Sequence, residues 1–220
     1  MKYLIIIEKN YIIDEKKEGD KKMKATFFDR LAAYFIDTIV ITFITLIISF
    51  GLPEITGPAH KRAAELDKQF QSQEIMPTDY LEEYMNTPLE YNYQKEALVP
   101  TIISIAVIIA YFVIFQYMNK GQTLGKKLMH IKVVDEKTEK PISIGLGFLR
   151  SLLILNIISS ILSILYLYII GKNNYFLAYI ITVGIENLFI LISAVFILYR
   201  SDKHGLHDII TNTKVIKERG

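Results

Sequence analysis

Four apolar stretches, Leu31 to Leu52, Leu98 to Met118, Ser151 to Ile170 and Tyr175 to Tyr199, constrain this chain more than any motif in it. Each reaches the roughly 20 residues that a helix needs to cross a bilayer core. A hydrophobic content of 51% would suit a soluble domain, but its segregation into blocks would not. The expected fold class is an all-α membrane protein, a four-transmembrane-helix bundle.

Lys and Arg near span ends are retained on the cytoplasmic side during insertion. Residues 1–30, 119–150 and 200–220 hold 8, 7 and 5 of them, whereas the loop 53–97 has four basic residues against nine acidic ones. Both termini and the loop 119–150 are therefore expected in the cytoplasm, with 53–97 outside. Trp is absent, so Tyr at the span ends takes the interfacial role. The lack of Cys excludes disulfides and thiolate metal sites. A net charge of +2 gives no ground for a nucleic-acid partner. No cofactor or metal is expected; His204 and His207 are spaced for one helical face, but Gly205 and the want of further ligands argue against a metal site.

Residues 1–24 read as an extension. Tyr3 to Ile7 and Tyr11 to Ile13 form a candidate hairpin followed by a charged linker, and Met23 is a second candidate start. The early apolar run meets Glu8 and Lys9 at once and lacks a small-residue cleavage site, so a signal peptide is rejected. In the external loop, Ala59 to Gln71 and Asp79 to Met85 read as polar helices without a strong apolar face. They make either a solvated cap or a recognition surface carrying Tyr80, Tyr84, Tyr91 and Tyr93. In the cytoplasmic loop, Gly121, Thr123, Gly125 and Lys126 superficially suggest a phosphate loop. The glycine spacing is too short and Lys127 follows where Ser or Thr belongs, so nucleotide binding is rejected. Leu128 to Val134, Pro141 to Ile144 and Thr213 to Lys217 are candidate strands of a small juxtamembrane β element.

Arg30 at the mouth of the first span with Asp37 inside it, the Gly121-x-Thr123-x-Gly125-Lys126 segment, Arg150 and the tail from His207-Asp208 to Val215 stand in a distinctive order. Residues 25–217 thereby resemble the RDD family of bacterial membrane proteins, named for an Arg and two Asp. The resemblance maps those positions onto Arg30, Asp37 and Asp208. It implies transport, since sodium/proton exchange has been linked to some members. The N-terminal extension, the long external loop and Glu186 depart from a minimal member.

The charges also have a direct physical reading. Arg30 and Asp37 lie two turns apart on one helical face. Arg150 stands at a comparable depth as the expected partner of Asp37, and Asp208 is expected near both arginines. Such a cluster either pins helix ends together or forms an ion vestibule. Glu186 falls near the middle of the last stretch, with Thr182, Tyr179 and Ser193 on its face. A midplane carboxylate is either a proton carrier or a neutral hydrogen-bonding group. Hydroxyl stripes at Thr38, Thr42, Thr45 and Ser49, and at Asn156, Ser159, Ser160 and Ser163, indicate close helix packing. No Ser, His and acid set points to an enzyme. The sequence thus points to a small transporter of a monovalent cation or proton, in contact with lipid and favoured as a homo-oligomer. The opposing reading is a scaffold or accessory subunit that binds a membrane-protein partner.

Overall fold

The computed structural model describes residues 23–52 and 55–218. The hairpin expected within Tyr3 to Ile13 lies outside the described residues. Among these, three continuous helices are long and apolar enough to cross a membrane, and a bent pair makes a fourth crossing if it is counted as one span.

The first, α1 (Phe27–Ser49), starts ahead of the apolar run because Thr26 caps it. The Thr26 backbone N–H donates to the Asp29 carboxylate at 2.7 Å, and the Thr26 hydroxyl oxygen accepts from the Asp29 N–H at 3.3 Å. At 1.5 Å per residue the helix is about 35 Å long, enough to span. Ala33 and Asp37, one turn apart, are buried, whereas Phe35, Ile39, Phe43 and Ile47 repeat every fourth residue on an exposed face suited to lipid.

Three short helices follow: α2 (Pro58–Gln71), α3 (Pro77–Asn86) and α4 (Leu89–Glu96). The Glu96 carboxylate reaches back to the start of α2, accepting from the N–H groups of Ala59 at 3.1 Å and His60 at 2.9 Å. Contrary to the polar reading of this loop, it has its own apolar cluster, in which Ala59, Leu66 and Leu89 pack with Tyr80, Tyr84 and Tyr93. Tyr91 donates to the Leu167 carbonyl at 3.2 Å, seating the cap on one end of the bundle. These tyrosines are therefore spent largely on packing, because their rings supply the apolar face that the flanking polar residues hide in the sequence.

The second crossing, α5 (Leu98–Met118), contains a π-helical segment at Ala110–Phe115. The looser winding shifts side chains around the axis, and Tyr111, Phe112 and Val113 are all buried in succession. Thr123 then caps a single turn, α6 (Leu124–Leu128), its hydroxyl oxygen accepting from the Lys126 N–H at 3.3 Å. Leu128 is consequently helical, and the strand expected from that residue, β1, runs over Ile131–Asp135.

The stretch expected as one span over 151–170 is two helices, α7 (Ile144–Ile154) and α8 (Ile157–Ile169), bent by 75°. Ser143 caps α7 and so starts it earlier than hydropathy indicates. The bend centres on Asn156, whose φ of 53° lies in the left-handed region that Asn tolerates better than most side chains. The last crossing is α9 (Tyr175–Tyr199), followed by α10 (Leu206–Thr211) and β2 (Thr213–Lys217). Strands β1 and β2 pair antiparallel, with Ile131 opposite Lys217 and Asp135 opposite Thr213. Lys24 bridges to Ile216 and Pro141 to Val134, so the Pro141 segment contributes one bridge before α7 begins. Ala25, Ala33, Ile131, Val133, Ile142 and Val215 form the core beneath this sheet.

Candidate functional site

At the sheet end of the bundle, Asp37 is 1% exposed and accepts three hydrogen bonds. The Tyr111 hydroxyl donates at 2.6 Å, the Thr123 hydroxyl at 2.6 Å and the Gly125 N–H at 2.7 Å. The π segment aims Tyr111, and the α6 cap aims Thr123. Gly125 is dictated by space, since a Cβ there would run into the Ala33 carbonyl oxygen and the Asp37 carboxylate. At Gly121 the constraint is conformational: its φ is +93°, and a Cβ would collide with the Val133 carbonyl.

Asp208, 0% exposed, holds two arginines together. Arg30 Nη1 donates to Oδ2 at 2.5 Å, Arg150 Nη1 to Oδ1, and the Gly205 N–H to Oδ2 at 3.0 Å. Burial alone would raise the Asp208 pKa, but the Arg150 and Arg30 charges outweigh it and hold the carboxyl far below its ordinary range. Arg150 also donates to Thr213 Oγ1 at 2.6 Å and meets His207 Nε2 at 3.1 Å. A guanidinium only donates, so His207 Nε2 accepts and its proton sits on Nδ1, facing Ser193 Oγ at 2.6 Å. Burial, reinforced by Arg150, pushes the His207 pKa down to about 3 and keeps the ring neutral.

A cavity of about 350 Å³ runs into the bundle from this cluster. Arg30, Lys126, Arg150 and Asp37 line it, as do Asn156 at the bend and Asn187 of α9. The Lys126 ammonium donates to Gln116 Oε1 at 2.6 Å and lies 5.8 Å from the centre of the Phe112 ring. Burial pushes its pKa down to about 8 despite the Asp37 charge.

Glu186 occupies the bend itself. Breaking the span at Asn156 frees the first N–H groups of α8, and Glu186 Oε2 accepts one of them, Ser159 N–H, at 3.0 Å. The Ser159 and Ser160 hydroxyls donate to the Asn156 carbonyl at 3.0 and 2.8 Å. Glu186 Oε1 is buried with no hydrogen-bond partner among the described residues.

A family model described as the RDD family matches residues 24–212. The chain belongs to the RDD family. The uncharacterized protein YxaI of Bacillus subtilis (strain 168) is 28% identical over 193 residues, which cover 87% of this chain and 96% of that protein. No solved structure matches.

In this RDD protein, the resemblance-derived Arg30 and Asp208 form one ion pair with Arg150, and Asp37 lies beside them in the cavity wall. The expected pairing of Asp37 with Arg150 is corrected: the Arg150 ion pair goes to Asp208, and Asp37 is held by uncharged donors. Gly121, Thr123, Gly125 and Lys126 build the turn that delivers those donors and the cavity ammonium. The stripe expected around Glu186 divides: Thr182 pairs with the Tyr166 hydroxyl at 2.9 Å, Tyr179 stacks on Tyr175, and Ser193 turns to His207. From sequence alone, Tyr111 groups with the interfacial tyrosines and Ser159 with the packing hydroxyls, and Gln116 has no assigned role. Gln116, a buried amide inside an apolar stretch, carried the clearest signal.

Proposed function

We propose that this RDD protein is a small membrane transporter that exchanges a monovalent cation for protons, with Glu186 as the proton-carrying group. One observation carries the reading: the buried Glu186 carboxylate caps the second half of a broken span with one oxygen, and its other oxygen has no partner among the described residues. An ionised carboxylate at membrane depth costs roughly 2.5–3.5 kcal/mol on an insertion scale, so Oε1 favours a proton or a bound cation. Interrupted spans are where transporters place such groups, because free helix ends and carbonyls become ligands there. The Asn156 and Asn187 wall of the cavity supplies a polar approach for water. Asp37 and Asp208 have their carboxylates engaged by several donors and act as positioning residues for the charged end. The basic excess at that end supports a cytoplasmic location for it in the bacterial cell membrane; a Cys at Ser72 should then react with an impermeant maleimide in intact cells, and one at Thr213 should not.

Proteoliposomes with a sodium or potassium gradient and a trapped pH dye test the activity. The parent should couple the gradient to proton movement. Glu186→Gln keeps an acceptor for the Ser159 N–H but has no proton to release, so flux should vanish while thermal stability is retained. Unchanged flux in this variant eliminates Glu186 as the carrier. A parent inert toward both cations supports the non-transporting scaffold or accessory-subunit reading instead.

A further inference from the structure

The cavity lining has more positive charge than its surroundings neutralise. Arg30, Lys126 and Arg150 line it, opposed by Asp37 in its wall and by Asp208 between the two guanidiniums. His207 faces the same space but is neutral. One positive charge is thus left over where apolar helices exclude water. The donors themselves are under-used. Arg30 Nη1 and Nη2 engage Asp208 and the Lys203 carbonyl, and its Nε is buried with no acceptor among the described residues. The Lys126 ammonium, with three N–H bonds, has Gln116 Oε1 as its one hydrogen-bond acceptor among the described residues. Lys126 therefore keeps donors for an oxygen-rich anion, in the field of the two guanidiniums.

The remainder of the wall specifies what the anion is attached to. Leu31 and Tyr34, which line the cavity from α1, are 48% and 51% exposed, so the rim extends to the outward, lipid-suited face of that helix. Ile190 and Ala194 of α9 continue the apolar lining across from them. A free anion would use the cationic part and leave this apolar limb without a partner. A basic pocket between membrane helices opening onto acyl chains is the environment that an acidic lipid headgroup requires.

We propose that this cavity is a binding site for an anionic phospholipid, whose phosphate is held by Lys126, Arg30 and Arg150 and whose acyl chain lies along Leu31, Ile190 and Ala194. The same cavity reaches Asn156 and Asn187 beside the Glu186 bend, but the lipid assignment rests on its cationic and apolar lining and does not depend on the transport reading. A bound phosphate would also counter the burial that depresses Lys126, holding that ammonium charged.

Delipidated full-length protein, reconstituted in phosphatidylcholine nanodiscs, should take up fluorescent phosphatidylglycerol in preference to fluorescent phosphatidylethanolamine. Lys126→Gln should weaken phosphatidylglycerol binding roughly fivefold, the contribution of one basic residue facing an anionic lipid. Ala194→Phe changes no charge and fills the apolar limb, so it should weaken binding as well; it keeps the test decisive if the Lys126 variant does not fold. Millimolar inorganic phosphate should not displace the lipid. Equal uptake of both lipids, or unchanged phosphatidylglycerol affinity in Ala194→Phe, overturns the proposal. Displacement by inorganic phosphate would assign the cationic part to a soluble anion and overturn the lipid assignment. Because binding is read without any flux, failure here is distinct from failure of the transport reading.

Discussion

Replacing Asp208 by Asn tests the cluster at its centre. The native carboxylate is 0% exposed and accepts from Arg30, Arg150 and the Gly205 N–H. An Asn retains the size but has one acceptor oxygen and no charge, leaving two guanidiniums close together with nothing negative between them. Breaking a buried ion pair from one side costs about 3–5 kcal/mol, because the orphaned charge stays desolvated. For a chain of this size 1 kcal/mol shifts Tm by about 2–4 °C, so Asp208→Asn should lower Tm in detergent by on the order of 10 °C. Arg150→Gln in the same chain removes the excess charge, and the double variant should be more stable than the sum of the single effects predicts. The same Arg150→Gln change combined with Asp37→Asn should be closer to additive, since Asp37 is held by Tyr111, Thr123 and Gly125. A change under 2 °C for Asp208→Asn, or additivity with Arg150→Gln, would refute the account of Asp208 as the shared anion of two arginines.

Two further outcomes follow from the geometry. Gly125→Ala forces a methyl against the Ala33 carbonyl and the Asp37 carboxylate, and should destabilise by about 1–3 kcal/mol as an overpacked site, whereas Gly145→Ala, which meets no neighbouring atom, should be neutral in the same thermal melt. His207 has a folded pKa of about 3, below its unfolded value of about 6.5; the unfolded chain therefore binds more protons between these values, and its contribution to stability is complete above about pH 6.5 and is lost as pH falls towards 3. Melts from pH 7 to 4 should lose at most about 1.4 kcal/mol per pH unit from this group, and His207→Gln should flatten that slope; an unchanged slope would show that His207 is not the titrating group.

The three continuous helices long enough to cross a membrane were legible because hydropathy is a property of local sequence and a bilayer imposes one length on it. The bend at Asn156 was not, since 151–170 has the length of an uninterrupted span and contains neither Gly nor Pro before its end. Its cause is tertiary: the N–H groups released at Asn156 find the Glu186 carboxylate on another helix. The Arg30–Asp208–Arg150 grouping was readable from charges expected at one membrane level. The partners of Asp37 were not, as Tyr111, Thr123 and Gly125 reach it from 74, 86 and 88 residues away and depend on a π segment and a helix cap. The tyrosines between the first two spans misled for a related reason, because residue type alone does not tell an exposed ring from one packed against Leu66 and Leu89.

The pairing of β1 with β2 has a consequence for assembly. Lys24, the loop after α5 and the tail after α10 are joined in one ladder, yet they are synthesised at the beginning, middle and end of the described chain. Arg30 and Arg150 are synthesised before Asp208. Until the tail folds back, both guanidiniums depend on water or lipid phosphate for neutralisation, and the charged end stays open. The tail is thus the keystone of this membrane face: its docking converts an inserted set of helices into a locked one.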